Sequence, residues 1–600
     1  MTSGPSGAGR SSATSATSAT SATSATSAGD SGRGTAEPAT PRGTARRRAP
    51  RWVTLALLAL PVIFLGWFFV WPVSAIVGLG LAPDGEVDLS VLSRVVTDDG
   101  VRSVAWFTLW QAVASTGLTL LVALPGAYAL ARLEFRGRRS LQAAVTVPFV
   151  LPTVVVGSAF LALLGPRSPV NSALVAVLGD AAPTLDLRRT VTAILLAHVF
   201  FNYAVVVRTV GGLWSMLDPR LEDAARVLGA SRWRTFREVS LPLLSPAIAA
   251  SAAIVFLFTF TSFGVVLILG GPGRATIEVE IHRATTQLLD LPLASTLALL
   301  QLVAVLTALA VYGRLTRRVQ QQRLVAAERT RRPPRTPGER WFLRANLAVI
   351  VLLVLSPLAV LVERSLVTAS GYGLANWQRL LVDEPSSVLA VPAGQAVRNS
   401  LAFGLGATLV ALLVGGLAAT AATVGRGWIT GLVDRALMVP LGTSAVTVGF
   451  GFLIALDRPV DLRGSPWLVP IAQALIATPF VVRTLLPVLR SIDQRLRDAA
   501  AVLGASPGRV WREIDLPIVG RALLVAAGFA FAIAVGEFGA TVFVARATLP
   551  TMPVAIFRLL GRPGVTNFGQ AMAMSTLLAA ITAAALLTID RLRVGAVGRF

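Results

Sequence analysis

Leu221-Glu222-Asp223-Ala224-Ala225-Arg226-Val227-Leu228-Gly229-Ala230-Ser231 runs on to Leu241-Pro242, and Leu496-Arg497-Asp498-Ala499-Ala500-Ala501-Val502-Leu503-Gly504-Ala505-Ser506 runs on to Leu516-Pro517. The two stretches stand 275 residues apart throughout, without a gap. Leu221, Ala224, Ala225 and Leu228 fall at i, i+3, i+4 and i+7, one narrow apolar helix face, and Leu496, Ala499, Ala500 and Leu503 repeat it. Gly229 and Gly504 stand where a helix ends in a left-handed residue. Ser231 and Ser506 suit the N-cap of a following helix, and Pro507 suits its first position. Phe236/Trp511 and Val239/Ile514 give that second helix an apolar side, and Leu-Pro is expected to break it before the next apolar run. One such polar hairpin could simply lie on a membrane surface. Two in register say that the chain is two copies of one unit.

The stretch resembles the EAA loop of binding-protein-dependent ABC importer permeases, in which Glu-Ala-Ala is followed by a Gly and, some way on, by Leu-Pro. The matching residues are Asp223, Ala224, Ala225 and Gly229, and Asp498, Ala499, Ala500 and Gly504. Both copies carry Asp in place of the usual Glu, which keeps the charge and shortens the reach. The resemblance implies a coupling helix that docks into a cleft of an ATPase subunit on the cytoplasmic side. The duplication is similar to the fused permeases of the ferric iron and thiamine importers.

Composition agrees with a membrane protein: 54% of residues are hydrophobic and 14% charged. Cysteine is absent, which excludes disulfides and thiolate chemistry. Lysine is absent too, so all 54 basic residues are arginine and no Walker A lysine exists. ATP hydrolysis would have to lie in another chain. The net charge of +23 reads as the positive-inside rule rather than nucleic-acid binding, because the arginines flank apolar runs.

Residues 1–51, with a Ser-Ala-Thr repeat from Ser12 to Ala28, read as a disordered cytoplasmic tail ahead of a retained first span. Residues 52–313 form the first half, with spans near 53–81, 103–131, 142–164, 190–212, 246–270 and 291–313, each close to the ~20 residues needed to cross. The acidic loop with Asp84, Glu86, Asp88, Asp98 and Asp99 suits the outside, and Arg132, Arg136, Arg138 and Arg139 suit the inside. Pro148 and Pro152 are tolerable inside the third span. Residues 314–344 read as a basic cytoplasmic linker whose arginines serve topology and lipid headgroups rather than a specific site. Residues 345–590 repeat the plan, with spans near 345–366, 397–424, 434–456, 466–488, 521–545 and 566–589; residues 591–600 are a basic tail. Further pairs keep the offset: Arg208/Arg483, Thr209/Thr484, Phe263/Phe538, Gly264/Gly539, Thr276/Thr551, Val279/Val554 and Ile281/Ile556. In the third span of each half, Pro148, Gly157 and Phe160 answer Pro440, Gly449 and Phe452. Six spans per half place both coupling stretches on one face. The expected fold is therefore an all-α integral membrane protein of about twelve transmembrane helices in two parallel six-helix repeats, the type I ABC importer permease fold that the resemblance implies.

No catalytic constellation, cofactor site or metal site is legible. His198 and His282, the only histidines, lie in different segments. The candidate translocation path is Ser262, Phe263 and Gly264 in span five with Glu537, Phe538 and Gly539 in span eleven, since a charge at that depth is costly and faces a cavity more readily than lipid. The bland reading of the same residues is a helix-packing cluster. The wording around Phe260–Gly271 resembles thiamine permeases, and that around Gly536–Thr541 is shared with molybdate, sulfate and iron permeases. The partners implied are two ATPase subunits, an extracytoplasmic solute-binding protein, membrane lipid and a small-molecule or ion solute: thiamine, ferric iron, sulfate or molybdate. The setting implied is the inner membrane, with both termini cytoplasmic. An ion-coupled secondary carrier leaning on Glu537, or a membrane scaffold without flux, are the alternatives from other classes.

Overall fold

The computed structural model describes residues 51–597 apart from 83–84, 87–96, 180–181, 317–329, 383–387, 425–435, 437–439, 441–442 and 459. The expectations for the tail 1–50, for Asp84 and Asp88, for most of the linker and for the start of the span near 434–456 lie outside these residues. Among the described residues ten helices are long and apolar enough to cross a membrane, or eleven if one bent pair counts as a span.

In chain order the elements are α1 (Trp52–Leu81), α2 (Asp99–Arg132), α3 (Arg138–Val150), α4 (Thr153–Leu163), α5 (Pro169–Leu178), α6 (Val191–Met216), α7 (Pro219–Val227), α8 (Arg232–Phe260), α9 (Gly264–Leu269), α10 (Ile277–Arg283) and α11 (Leu291–Thr316). The second series is α12 (Pro337–Leu366), α13 (Ala375–Leu381), α14 (Ala393–Val424), α15 (Ala445–Ala455), α16 (Leu468–Ser491), α17 (Gln494–Val502), α18 (Gly508–Gly536), α19 (Thr541–Val544), α20 (Met552–Leu560) and α21 (Val565–Val597). A two-residue hairpin, β1 (Val367–Thr368) with β2 (Gly371–Tyr372), follows α12.

Each half is built on three packed helices: α2, α6 and α8 in the first, α14, α16 and α18 in the second. Small residues make close approach possible, with Ala407, Ala411, Ala418, Ala472, Ala477, Ala526 and Ala530 all buried in the second core. The outer helices cross over. α1 packs on α14 and α15, and Trp71 Nε1 donates to the Ala455 carbonyl at 3.1 Å. Reciprocally, α12 packs on α4. The two halves are thus interleaved rather than laid side by side.

Four local expectations are corrected. The third span is not one helix: α3 and α4 meet at 106°, with Leu151 extended and Pro152 at the break. Pro152 restricts Leu151 to extended geometry, which turns the chain. Spans five and eleven do not run to 270 and 545; α8 ends at Phe260 and α18 at Gly536, each followed by a turn and a short helix. Leu241-Pro242 and Leu516-Pro517 do not separate helices. The chain passes through them by one wide turn, in which the Leu241 and Leu516 N–H groups donate five residues back to Phe236 and Trp511. A wide turn of this kind accommodates the missing proline N–H without a break. Span seven begins at Pro337, where Thr336 accepts from the Glu339 N–H at 3.2 Å as N-cap.

The linker's end is specific as well. Arg332 makes a two-pronged pair with Glu339 at 2.8 and 2.9 Å, its N–H donates to the Arg132 carbonyl and its carbonyl accepts from Glu134 N–H. This corrects the reading of all these arginines as lipid and topology devices.

α2 and α6 approach so closely at Gly126 that a Cβ there would lie 1.8 Å from Tyr203 Oη. Gly126→Ala is expected to lower the unfolding midpoint of the detergent-purified protein, at a cost of about 1–3 kcal/mol. Adding Tyr203→Phe should recover part of that loss, measured as a double-mutant cycle by thermal unfolding.

Candidate functional site

The two coupling stretches fold alike to the level of single hydrogen bonds. Asp218 and Asp493 N-cap α7 and α17, each accepting from the N–H two residues on at 3.0 Å. At the other end, Gly229 and Gly504 take φ of +87° and +81°. Gly229 N–H donates to Arg226 and Ala230 N–H to Ala225, each at 3.0 Å; Gly504 and Ala505 repeat this on Ala501 and Ala500. This paired closure needs the left-handed residue that glycine supplies. Ser231 accepts from Arg234 N–H at 3.2 Å and starts α8.

What the helices present outward is apolar. Val227, Leu228, Val502 and Leu503 are each 87% exposed, and Leu221 and Leu496 about half. Ala224, Asp223 and their counterparts Ala499 and Asp498 are exposed, whereas Ala225 and Ala500 are half-buried. Asp223 pairs with Arg226 at 3.4 Å.

The residue before each Asp ties the helix down. Glu222 accepts from Ser240 Oγ at 2.9 Å and from the buried Arg132 at 3.4 Å. At the equivalent positions Arg497 Nε donates to Asp515 Oδ1 at 2.8 Å. One pair of positions is joined in both halves, by a carboxylate–hydroxyl bond in one and an ion pair in the other. Sequence reasoning missed this tie because the residue types do not match.

Of the six candidate path residues, which lie at the two breaks after α8 and α18, Phe263, Gly264 and Phe538 come together, whereas Ser262, Glu537 and Gly539 contact their own half. Phe263 and Phe538 stack with centroids 5.5 Å apart and planes at 22°. His282 and Phe557, likewise equivalent at the offset of 275, sit edge to face at 6.4 Å. A residue touches its own counterpart only where it lies on the axis relating the copies. These two pairs therefore mark that axis. His282 also packs on Phe263 at 5.5 Å and on Phe543 at 5.4 Å, and Phe538 on Phe557 at 5.5 Å. Gly264 is needed for the approach, since a Cβ there would lie 2.4 Å from Thr153 Oγ1 and 3.3 Å from Phe538.

Glu537 is not deep in a span. It is the extended residue after α18, and its carboxylate accepts from Ala540 N–H at 2.8 Å, Thr541 N–H at 2.9 Å and the Thr541 hydroxyl. It caps α19. Its counterpart Ser262 meets His198 Nε2 at 2.8 Å, and His198 Nδ1 meets Ser115 Oγ at 2.9 Å. Thr108, Gln111 and Ser115 form a buried polar stripe on α2, donating to or accepting from the chain around this break. Thr108 Oγ1 accepts from Ile277 N–H at 2.9 Å, and Ser400 Oγ accepts from Met552 N–H at 2.7 Å in the same role.

The acid that joins the two halves is another one. Glu278 on α10, completely buried, accepts from Gln301 Nε2 at 3.0 Å and from Ser444 Oγ at the start of α15. Its sequence signal was a Glu among the matched Thr276, Val279 and Ile281, with Glu280 beside it, and nothing in spacing sets one acid above the other.

A family model for binding-protein-dependent transport system inner membrane components matches residues 120–321. The chain belongs to this family of ABC importer permeases, multi-pass proteins of the inner membrane that transport rather than catalyse. It is 30% identical over 498 residues to the thiamine transport system permease protein ThiP of Brucella abortus (strain 2308), covering 81% of this chain and 87% of that one. It is 27% identical to ThiP of Escherichia coli (strain K12) over 476 residues, covering 77% and 84%. A probable ABC transporter permease protein, y4fN of Sinorhizobium fredii (strain NBRC 101917 / NGR234), is 26% identical over 92% of this chain and 98% of its own length.

Arg497→Ala is expected to speed amide exchange across residues 494–503 roughly fivefold, the loss of about 1 kcal/mol of a partly exposed pair. The exchanged pair R497D/D515R should restore protection, and Asp223→Ala should leave it unchanged.

Proposed function

We propose that this chain is the complete transmembrane pore of an ATP-driven importer for thiamine. The carrying observation is the twice-built coupling helix, which offers Val227, Leu228, Val502 and Leu503 to solvent on two equivalent tips. Exposed aliphatic side chains on a helix held so rigidly at both ends suit a protein cleft. One ATPase subunit docks on each tip, Asp223, Ala224, Ala225 and Gly229 forming one contact and Asp498, Ala499, Ala500 and Gly504 the other. The absence of lysine supports placing ATP hydrolysis in those subunits. The coupling tips and both termini face the cytoplasm, and a solute-binding protein delivers thiamine from the other side. The domain plan is a tail (1–51), two permease halves (52–313 and 345–590, the second entered by the helix that starts at Pro337), a basic linker (314–344) and a short tail (591–600).

Closure of the ATPase dimer draws α7 and α17 together. Each is tied to the start of α8 or α18, and those helices run to Phe260 and Gly536, where the turns that carry the axis residues Phe263 and Phe538 begin. Movement at the tips thus reaches the Ser262-Phe263-Gly264 and Glu537-Phe538-Gly539 breaks, which part and close in alternation.

Uptake of labelled thiamine and labelled ferric iron, in cells with and without the gene, tests the solute. Loss of thiamine uptake alone supports the proposal; loss of iron uptake alone replaces thiamine with iron; loss of neither leaves sulfate, molybdate and other small solutes. Uptake that survives deletion of the ATPase gene would point to a secondary carrier. Ala225→Trp should abolish uptake while the protein still inserts, and wild-type uptake would overturn the docking assignment. Leu228→Asp with Leu503→Asp should lower co-purification of the ATPase subunits by about tenfold or more.

A further inference from the structure

We propose that α10 and the aromatic cluster at the axis form a subsite for a planar, cationic heteroaromatic ring. This rests on the reading of the chain as an importer for thiamine, whose thiazolium is such a ring, and assigns the residues that would recognise it.

Three observations carry the inference. The first is the cluster itself. Phe263, Phe543 and Phe557 touch one imidazole, that of His282, at centroid distances between 5.4 and 6.4 Å, and Phe538 packs behind them on Phe263 and Phe557. Aromatic faces within about 6 Å of a cation attract it through the ring quadrupole. The cluster already accommodates one five-membered nitrogen heterocycle edge to face and tilted. The imidazole occupies the space that a solute ring takes when the breaks part.

The second observation is Glu278, four residues before His282 on the same short helix, so that the two side chains share a face. Glu278 is wholly buried, and among the described residues its hydrogen bonds come from the neutral Gln301 and Ser444, with no arginine or histidine paired to it. An acid buried among neutral partners takes its counter-charge from a cationic guest and gains nothing from a neutral or negative one, so Glu278, one helical turn from His282, favours a positively charged ring.

The third is the asymmetry. The equivalents of His282 and Glu278 in the second half are Phe557 and Pro553. A role confined to holding the helix in place is met there by apolar residues, with Met552 N–H taken by Ser400 as Ile277 N–H is by Thr108. The carboxylate is therefore not required by the fold of the helix that bears it.

The test is equilibrium binding of tritiated thiamine to the purified permease–ATPase complex in lipid nanodiscs, without binding protein, both nucleotide-free and with ATP trapped. The competitor is the uncharged thiophene isostere of thiamine. In the wild type, thiamine should bind about tenfold or more tighter than the isostere. Glu278→Gln should erase that preference by weakening thiamine alone, Glu278→Asp should keep it, and Phe557→Leu should weaken thiamine severalfold while the complex stays assembled. The subsite is overturned if the wild-type complex binds no thiamine in either state, or if E278Q weakens both ligands equally or neither. Gene-dependent thiamine uptake together with such a result removes the subsite and leaves the function standing. Absence of gene-dependent uptake removes the function and the subsite with it.

Discussion

A backbone polar group inside a membrane-spanning fold must find its partner within the protein, because lipid offers none. The architecture around the axis follows from that constraint. α8 and α18 both stop short and turn, which releases carbonyls and N–H groups at a depth where each unsatisfied one costs several kcal/mol in order of magnitude. The two halves answer the same need with different chemistry. In the first, a polar stripe on α2 reaches the break directly and through His198, whose two ring nitrogens are both engaged by serine hydroxyls. In the second, the positions equivalent to Gln111 and Ser115 are Phe403 and Ala407, and Glu537 folds back to cap α19 itself. The break is the shared feature; the residues that make it tolerable are not.

The same economy governs the coupling tips. A helix of nine residues is too short to be stable by propensity alone. It is held by an aspartate cap at one end, a glycine closure at the other, and one tie to the base of the following span. Since the chain passes Leu-Pro through a wide turn and not a break, the helix to which each tip is tied runs on into the span as one lever. A flexible joint at that proline would absorb displacement; a continuous helix passes it on.

Much of this was legible in the sequence. The duplication, the spans and the left-handed glycines could be read because each leaves a mark that composition and spacing preserve: a constant offset, an apolar run, a Gly at a fixed place. The helix breaks were not legible, because Phe260–Gly271 and Gly536–Ala545 stay apolar across the turn and hydropathy does not register backbone direction. The Glu222–Ser240 and Arg497–Asp515 ties were hidden because equal geometry is served by unlike residues. Glu537 drew attention as the conspicuous acid, yet its charge is spent on local backbone. Glu278, which bridges the halves, lay unremarked between matched apolar neighbours.

These differences bear on why two halves should share one chain. Two identical subunits about an axis must present identical groups to it, so a carboxylate on one side is a carboxylate on both. Like charges facing each other across a closed, desolvated axis repel strongly. A fused chain is free of that restriction. Pro553 stands in the repeat where Glu278 stands in the first half, and Phe557 where His282 stands, so the acid on α10 has no counterpart on α20 to repel it. The stacked Phe263 and Phe538, which carry no charge, are the residues for which symmetry costs nothing, and they are the ones the two halves keep in common.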